Sequence, residues 1–265
     1  MRVLVTGHKG FIGKNLLKYL EDHTDWEVKG WEWKDTPYPT VEGNDWVIHL
    51  GAISSTTETD VDKVIQQNYD FSRWMFRACK TNFVNLQYSS SASVYGLGNN
   101  FAETAPVDPR TPYAWSKYLF DRWIQQQTSG RAVQGFRYFN VYGNHEEHKG
   151  SQASPVTQFR KQTPIKLFEN SNEYLRDFVA VEDVCRIHVE FINQVTESGI
   201  WNVGTGKTTS FQQVADLISN DQEYIPMPSQ LKNSYQRYTC ADLTKLESTI
   251  GPQQWISVEE WLNIV

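Results

Sequence analysis

Cysteine is scarce. Cys79, Cys185 and Cys240 are the only three in 265 residues, an odd number, widely separated and without paired spacing. A disulfide framework is thereby excluded, and the three read as reduced thiols of a cytoplasmic protein. No apolar run reaches the length that crosses a bilayer. MRVLVTG passes straight into folded sequence with no signal-peptide pattern, so a cytoplasmic location is the expectation and a membrane partner is not. A basic stripe is also missing, and the net charge is −6. This argues against nucleic acid as a partner and leaves room for a small phosphate ligand held locally. No repeat or low-complexity tract appears. What the chain does have is aromatic mass, with 10 Trp, 13 Tyr and 13 Phe, enough for a substantial core or a stacked ligand. Its length suits one large domain or two apposed lobes.

Short apolar runs alternate with longer amphipathic ones. RVLVT (2–6), WEVKGWE (26–32), DWVIHLGA (45–52), FVNLQYSS (83–90) and AVQGFRYFN (132–140) have the composition of buried strands. Between them, residues 11–22, 61–80 and 113–128 carry helical spacing; Phe11, Leu16, Leu17 and Leu20 share one face of the first. Strands alternating with helices predict an α/β fold, a doubly wound parallel sheet of Rossmann type covered on both faces. After residue 140 the spacing becomes irregular. The expected organisation is a dinucleotide-binding domain, 1–140 with 177–204, and a smaller substrate-binding lobe, 141–176 with 205–265.

TGHKGFIG (6–13) follows the first strand and opens the first helix. Gly7, Gly10 and Gly13 allow a tight turn and close approach of backbone to a pyrophosphate resting on the helix N-terminus. The competing explanation is strand–helix packing alone. Glu32 ends the second strand, where an acid binds ribose hydroxyls and disfavours a 2′-phosphate; Lys34, just beyond, would instead attract that phosphate. NADP and NAD therefore both remain open at this point. GTGKTTS (204–210) imitates a second phosphate loop. A Walker A motif needs glycine five positions before Gly206, yet Trp201 stands there. A strand, a glycine turn and Ser210 capping a helix near Phe211 is the better reading.

TPYAWSKYLFD (111–121) starts a helix just after a proline, with Tyr113 and Lys117 one turn apart on one face. A free phenol titrates near ~10 and is a poor base at neutral pH. An ammonium beside it favours the phenolate. Ser91, just past a Ser-rich strand end, supplies a hydroxyl for the same substrate oxygen. Together the three suit removal of a proton from an alcohol while a nicotinamide takes the hydride; a solvated Lys beside an interfacial Tyr is the plain alternative. NHEEHKGS (144–151) crowds two histidines, two glutamates and a lysine together. A metal site at His145 and His148 would need further ligands, and no His/Cys cluster accompanies them, so no metal is expected.

TGHKGFIG, HLGA (49–52), YSSSASVYG (88–96), YAWSK (113–117), RYFNVYG (137–143) and NVGTG (202–206) match, in order, the landmarks of the extended short-chain dehydrogenase/reductases. The chain resembles that superfamily over nearly its whole length, which implies a Rossmann fold, bound NAD(P) and a nucleotide-sugar substrate. Ala92-Ser93 stands where sugar dehydratases of the superfamily carry Asp-Glu, favouring an epimerase or reductase. GAISSTTETD (51–60), GFRYFNVYGNHEEHKGSQAS (135–154), KLFENSNEYLRDFVAVEDV (166–184) and EYIPMPSQLKNSYQRYTCADLTKL (223–246) further resemble the ADP-L-glycero-D-manno-heptose 6-epimerase family. The resemblance implies oxidation of C6 to a ketone with tightly held NADP, reorientation, and return of the hydride to the opposite face.

Inversion by this route takes two acid/base groups, and the resemblance assigns them to Tyr113 and Lys149. An amine in that role needs its proton loosened by burial or a positive neighbour; His148 and Lys117 are the candidates. The resemblance also places Phe11, Ile12, Gly51, Ala52, Ser54, Asn68 and Val141 at the cofactor. Asn140, Ser151, Gln158, Phe168, Glu169, Asn170, Ser171, Arg176 and Tyr235 fall at substrate positions, and homo-oligomers are implied. Arg176 is the expected diphosphate clamp, since a guanidinium grips phosphate oxygens in bidentate fashion; an interdomain salt bridge is the alternative. Two departures stand out. Only about a dozen residues separate Glu32 from the next strand, where the family inserts a further strand and helix beside the adenosine, and Gln158 replaces a histidine that meets the substrate.

Overall fold

In a computed structural model that describes residues 1–33, 38–228 and 235–265, the apolar runs form one six-stranded parallel sheet. Its strands are β1 (Arg2–Thr6), β2 (Glu27–Trp31), β3 (Trp46–His49), β4 (Asn85–Ser91), β5 (Val133–Tyr138) and β6 (Gly199–Val203). The spatial order is β2-β1-β3-β4-β5-β6. The fold is the expected doubly wound α/β sheet of Rossmann type. Alternation along the strands serves two faces. Val3, Val5 and Ile48 pack with Phe11, Leu16 and Leu20 of helix α1 (Phe11–His23). Leu4, Val47 and Leu86 face the other way, against Phe71, Met75, Phe120 and Ile124.

Those last residues belong to two helices. The run predicted at 61–80 begins with α2 (Val61–Val64), passes through a π-helical turn (Ile65–Asp70) and continues as α3 (Phe71–Thr81). The inserted residue disturbs the helical spacing and buries Asn68. Helix α4 (Pro112–Ile124) starts where sequence chemistry says it should. Thr111 caps it through a bond from the Ala114 amide, and Pro112 occupies a first-turn position that lacks an intrahelical partner anyway.

The chain goes out from β1 to β2 and returns to β3 on the other side of β1. The carboxyl ends of β1 and β3 therefore flank the switch point where such sheets open a crevice. β2 is the edge strand, and among the described residues no further strand pairs with it. Only the short 32–45 connection separates β2 from β3.

A second core lies beyond the sheet. Tyr142, Val156, Phe159, Ile165, Leu167, Phe178, Phe211, Val214 and Trp261 form it, drawing on α5 (Pro155–Phe159) and two small strand pairs, Ile165–Phe168 with Gln222–Ile225 and Leu175–Arg176 with Thr209–Ser210. Helix α6 (Val181–Gln194) returns to the sheet, burying Val181, Val184, Cys185, Ile187 and Phe191. Asp177 ties the connections together: its buried carboxylate accepts from the amides of Thr205, Gly206 and Ala241 and from the Thr205 hydroxyl. GTGKTTS thus serves as a turn, with Gly206 at φ +68°. Ser210 and Gln213 then form a reciprocal cap on α7 (Phe211–Ile218).

Candidate active site

The glycine turn is as tight as its sequence implies. Gly7 has φ +72°, and a Cβ there would lie 2.6 Å from the Gly51 backbone. A Cβ on Gly13 would lie 2.2 Å from the Gly7 carbonyl oxygen, so the ends of β1, β3 and α1 close on one another only through glycine. The Gly10 amide donates to the Gly7 carbonyl at 3.0 Å. Gly10 caps α1 without a side chain, and no acid occupies the first turn. The free amides of that turn are therefore open to an anion. Beneath the turn, His49 is pushed down to about 3 by burial, with the Lys117 charge adding to the effect. It bonds Thr6 Oγ1 at 2.7 Å and Ser72 Oγ at 3.0 Å, while Thr6 accepts the Gly51 amide.

A cleft of about 270 Å³ opens along this turn. Gly7, Gly10, Phe11, Ile12 and Gly13 form one wall; Glu32, Gly51, Ala52 and Ser54 continue it past the ends of β2 and β3. Tyr113 and Lys117 enter from α4, and His148 and Lys149 from the loop after β5. Ser89, Ser90 and Tyr138 also line it; they lie within the YSSSASVYG and RYFNVYG segments but are not among the site residues expected from sequence. The Tyr138 hydroxyl lies 2.6 Å from His188 Nε2, and His188 Nδ1 lies 2.6 Å from Gln87 Oε1. A buried polar chain of this kind is invisible to spacing rules. Lys34 lies outside the described residues.

The phenol and the two amines differ in their surroundings. Burial raises the Tyr113 phenol above its ordinary value, and a hydrogen bond with Ser91 opposes that rise. The lowering expected from Lys117 is not found. The Lys117 ammonium sits 5.8 Å from the Tyr113 ring centre and donates instead to the Ser89 carbonyl at 2.9 Å and the Ser89 hydroxyl at 3.2 Å. Burial brings Lys117 itself down to about 8. Lys149 shares the cleft with both anticipated cationic candidates, His148 and Lys117, but the charge it pairs with is an acid. Its Nζ pairs with the Glu146 carboxylate at 3.2 Å and lies 5.4 Å from the Phe11 ring centre.

Other candidate residues lie apart from this cleft. Asn68 exchanges hydrogen bonds with the Ile53 backbone and donates to Ser116 Oγ, bracing the wall behind it. Val141 packs against the two buried clusters that Ile12 and Leu50 also border. Asn140 donates to the Asp177 carbonyl and to Thr239. Ser151 and Gln158 face a separate hollow of about 250 Å³, and Gln158 is bound to the Ser151 and Ala153 carbonyls.

Arg176 is 7 % exposed and lies over the rings of Phe211 and Tyr235 at 5.3 and 5.5 Å. It donates to the carbonyls of Leu175 and Gln236, and no carboxylate meets it among the described residues. Burial lowers its guanidinium from the ordinary value. Phe168 meets Tyr235 edge-on. The Glu169 amide donates to Ile225, Asn170 turns the chain at φ +62°, and Ser171 donates to Gln212. Among the described residues, no group of three or more His, Cys, Asp or Glu comes together to hold a metal, and no helix is long and apolar enough to cross a membrane.

A parallel sheet with a glycine-built anion turn at its switch point, opening on a Tyr/Lys-lined cleft, defines an α/β enzyme that works with a nicotinamide dinucleotide. The chain belongs to the NAD dependent epimerase/dehydratase family, whose sequence pattern matches residues 38–204. Among solved structures it is similar to the ADP-L-glycero-D-manno-heptose-6-epimerase of Helicobacter pylori, at TM-score 0.87 and 22% identity, covering 99% of this chain and 94% of that one. It is also similar to the UDP-glucose 4-epimerase of Thermotoga maritima, solved with UDP-glucose, at TM-score 0.85 and 24% identity over 100% and 97% of the two chains. A third is the UDP-N-acetylglucosamine 4-epimerase of Methanobrevibacter ruminantium, in complex with UDP-N-acetylmuramic acid, at TM-score 0.85 and 22% identity over 99% and 98%.

The residues present fit a dinucleotide. The Gly7–Gly51 contact keeps side chains out of the turn, and the uncapped first turn of α1 offers amides to a pyrophosphate. Glu32 and Lys117 line the same cleft.

Proposed function

We propose that this protein epimerises a nucleotide-linked sugar by transient oxidation of a carbinol, and that the sugar is an ADP-glycero-manno-heptose inverted at C6. One observation carries the reading: Tyr113 and Lys149, from elements far apart in the chain, line the same cleft as the dinucleotide turn. A bound nicotinamide supplies reversible hydride acceptance. Tyr113, as phenolate and with Ser91 on the same oxygen, takes the carbinol O–H proton as the carbon gives up its hydride and the C–O bond becomes C=O. After the ketone turns, the hydride returns to its other face, and Lys149 as ammonium gives the new alkoxide a proton. Redox state is unchanged over the cycle. Tyr113 has gained a proton and Lys149 has lost one, and exchange with solvent restores both. Lys117, which donates to Ser89, holds the nicotinamide ribose in this reading.

Arg176 suits the substrate diphosphate, because a buried guanidinium that meets no carboxylate among the described residues is a cation awaiting an anion. NADP follows from the heptose-epimerase resemblance, whereas Glu32 in the cleft favours the unphosphorylated ribose of NAD. The free thiols are consistent with a cytoplasmic setting, and the resemblance with a homo-oligomer. A second reading, epimerase or epimerase-reductase of another nucleotide-sugar, is favoured by Ser151 and Gln158 facing a hollow separate from the cleft. Purified protein incubated with ADP-D-glycero-D-manno-heptose should yield both C6 epimers without net consumption of reduced cofactor. No interconversion, with cofactor verified as bound, removes the heptose assignment; stoichiometric loss of reduced cofactor makes the protein a reductase.

A further inference from the structure

Glu146 has no solvent exposure. Its carboxylate is fully engaged: Oε1 accepts the Ser154 amide at 2.8 Å and the Lys149 ammonium at 3.2 Å, and Oε2 accepts the hydroxyls of Ser154 and Thr157 at 2.7 and 2.8 Å. Ser154 is in turn the cap of α5, accepting the Thr157 amide. The acid is therefore anchored in the helix that joins the loop to the second core, where Val156 and Phe159 are buried. Burying a carboxylate is expensive unless a cation compensates it. A glutamine would offer the three neutral donors one acceptor oxygen in place of two and would turn an NH2 toward a group that now donates. Among the described residues, the only cation paired with this carboxylate is Lys149, whose side chain is 24% exposed. A lysine stem is flexible and loses much rotamer freedom when held. Here its terminal nitrogen is held between Glu146 and the face of Phe11.

We propose that Glu146 is the positioning residue for the second acid/base group: it clamps the Lys149 amine at the edge of the dinucleotide cleft so that it meets the substrate oxygen from the side Tyr113 does not serve. This rests on the epimerase reading. That reading makes the two epimers unequal, one losing its proton to Tyr113 and the other to Lys149. The half-reaction of each epimer is followed as reduced nicotinamide appearing in a single turnover.

In Glu146→Gln, the Lys149-dependent epimer should slow by about 100-fold, the usual worth of a well-placed acid/base group, while the other stays close to wild type. Lys149→Met should show the same asymmetry. Glu146→Asp should recover part of the loss, and Ser154→Ala, which removes a brace but leaves the ion pair, should show no asymmetry. Equal losses for both epimers in Glu146→Gln, or an asymmetry absent from Lys149→Met, would overturn the assignment. A wild-type protein that oxidises neither epimer defeats the epimerase reading instead. Reductive methylation of Lys149, read by peptide mass spectrometry, needs no sugar. It should run several-fold faster in Glu146→Gln at unchanged melting temperature; equal rates would show that Glu146 does not hold the amine.

Discussion

The Lys149 ammonium lies 5.4 Å from the centre of the Phe11 ring, although 138 positions separate the two in sequence. Phe11 is the first residue of the helix that follows the glycine turn, so the contact seats the HEEHK loop on the dinucleotide site. Cation–π attraction of this kind is worth roughly 0.5–2 kcal/mol. It is enough to bias a flexible amine toward the cleft, though not to hold it there alone.

Lys149→Met keeps the stem and removes the charge. Epimerisation should fall by about 10²- to 10⁴-fold, with the dinucleotide still retained on gel filtration. Near-normal turnover would reduce the loop to a solvated one.

The Tyr113 phenol is raised by burial and eased back by Ser91. Deleting that bond with Ser91→Ala leaves the rise unopposed, so the acid limb of the kcat–pH profile should move to higher pH. Tyr113→Phe should abolish the limb and lower kcat by about 10²- to 10⁴-fold. A limb unmoved in Ser91→Ala would mean that Tyr113 is not the titrating base.

Arg176→Gln removes a cation already buried against Phe211 and Tyr235. Losing charge-assisted bonds to a diphosphate costs roughly 1.5–3 kcal/mol, so KM should rise by about 10- to 100-fold while kcat changes little. A change confined to melting temperature would make Arg176 a purely structural residue.

Lys117 sits at about 8 in the fold against an ordinary 10.5. Between those values the unfolded chain keeps the proton that the folded one has lost, so this group makes stability rise with pH across that window; below it the whole penalty is present. Relative to Lys117→Met, cofactor-free wild type should gain roughly 3 kcal/mol from pH 8 to 10.5 in denaturant titrations. A flat difference would show the amine to be hydrated.

Glu32 lines the cleft beyond β2. Glu32→Gln should raise the NADP/NAD affinity ratio by about 10-fold, as expected from one nearby charge in a wet site. Measured dissociation constants for both cofactors check this, and an unchanged ratio would place the 2′ determinant elsewhere.

Local rules carried far. Short apolar runs identified the sheet strands, the TGHKGFIG glycines identified a turn that only glycine can close, and Pro112 marked the start of the helix that carries Tyr113 and Lys117. Each of these is a property of neighbours in sequence, where the physics of spacing, capping and φ acts directly. The π-helical turn at 65–70 was not legible, because an extra residue in a helix is selected by what Asn68 must reach across the fold. Nor was the Tyr138–His188–Gln87 chain, whose members lie on different elements.

The sequence alone therefore determined the strand–helix order, the anion turn and the one-turn spacing of phenol and amine, since short-range sterics and periodicity suffice for these. Tertiary structure alone decided that Lys149 is paired with a buried acid, and that Lys117 rests on Ser89 instead of on the Tyr113 oxygen. It also decided that Ser151 and Gln158 open on a different hollow. Burial and the pairing of charges across long chain separations are set only once the elements pack.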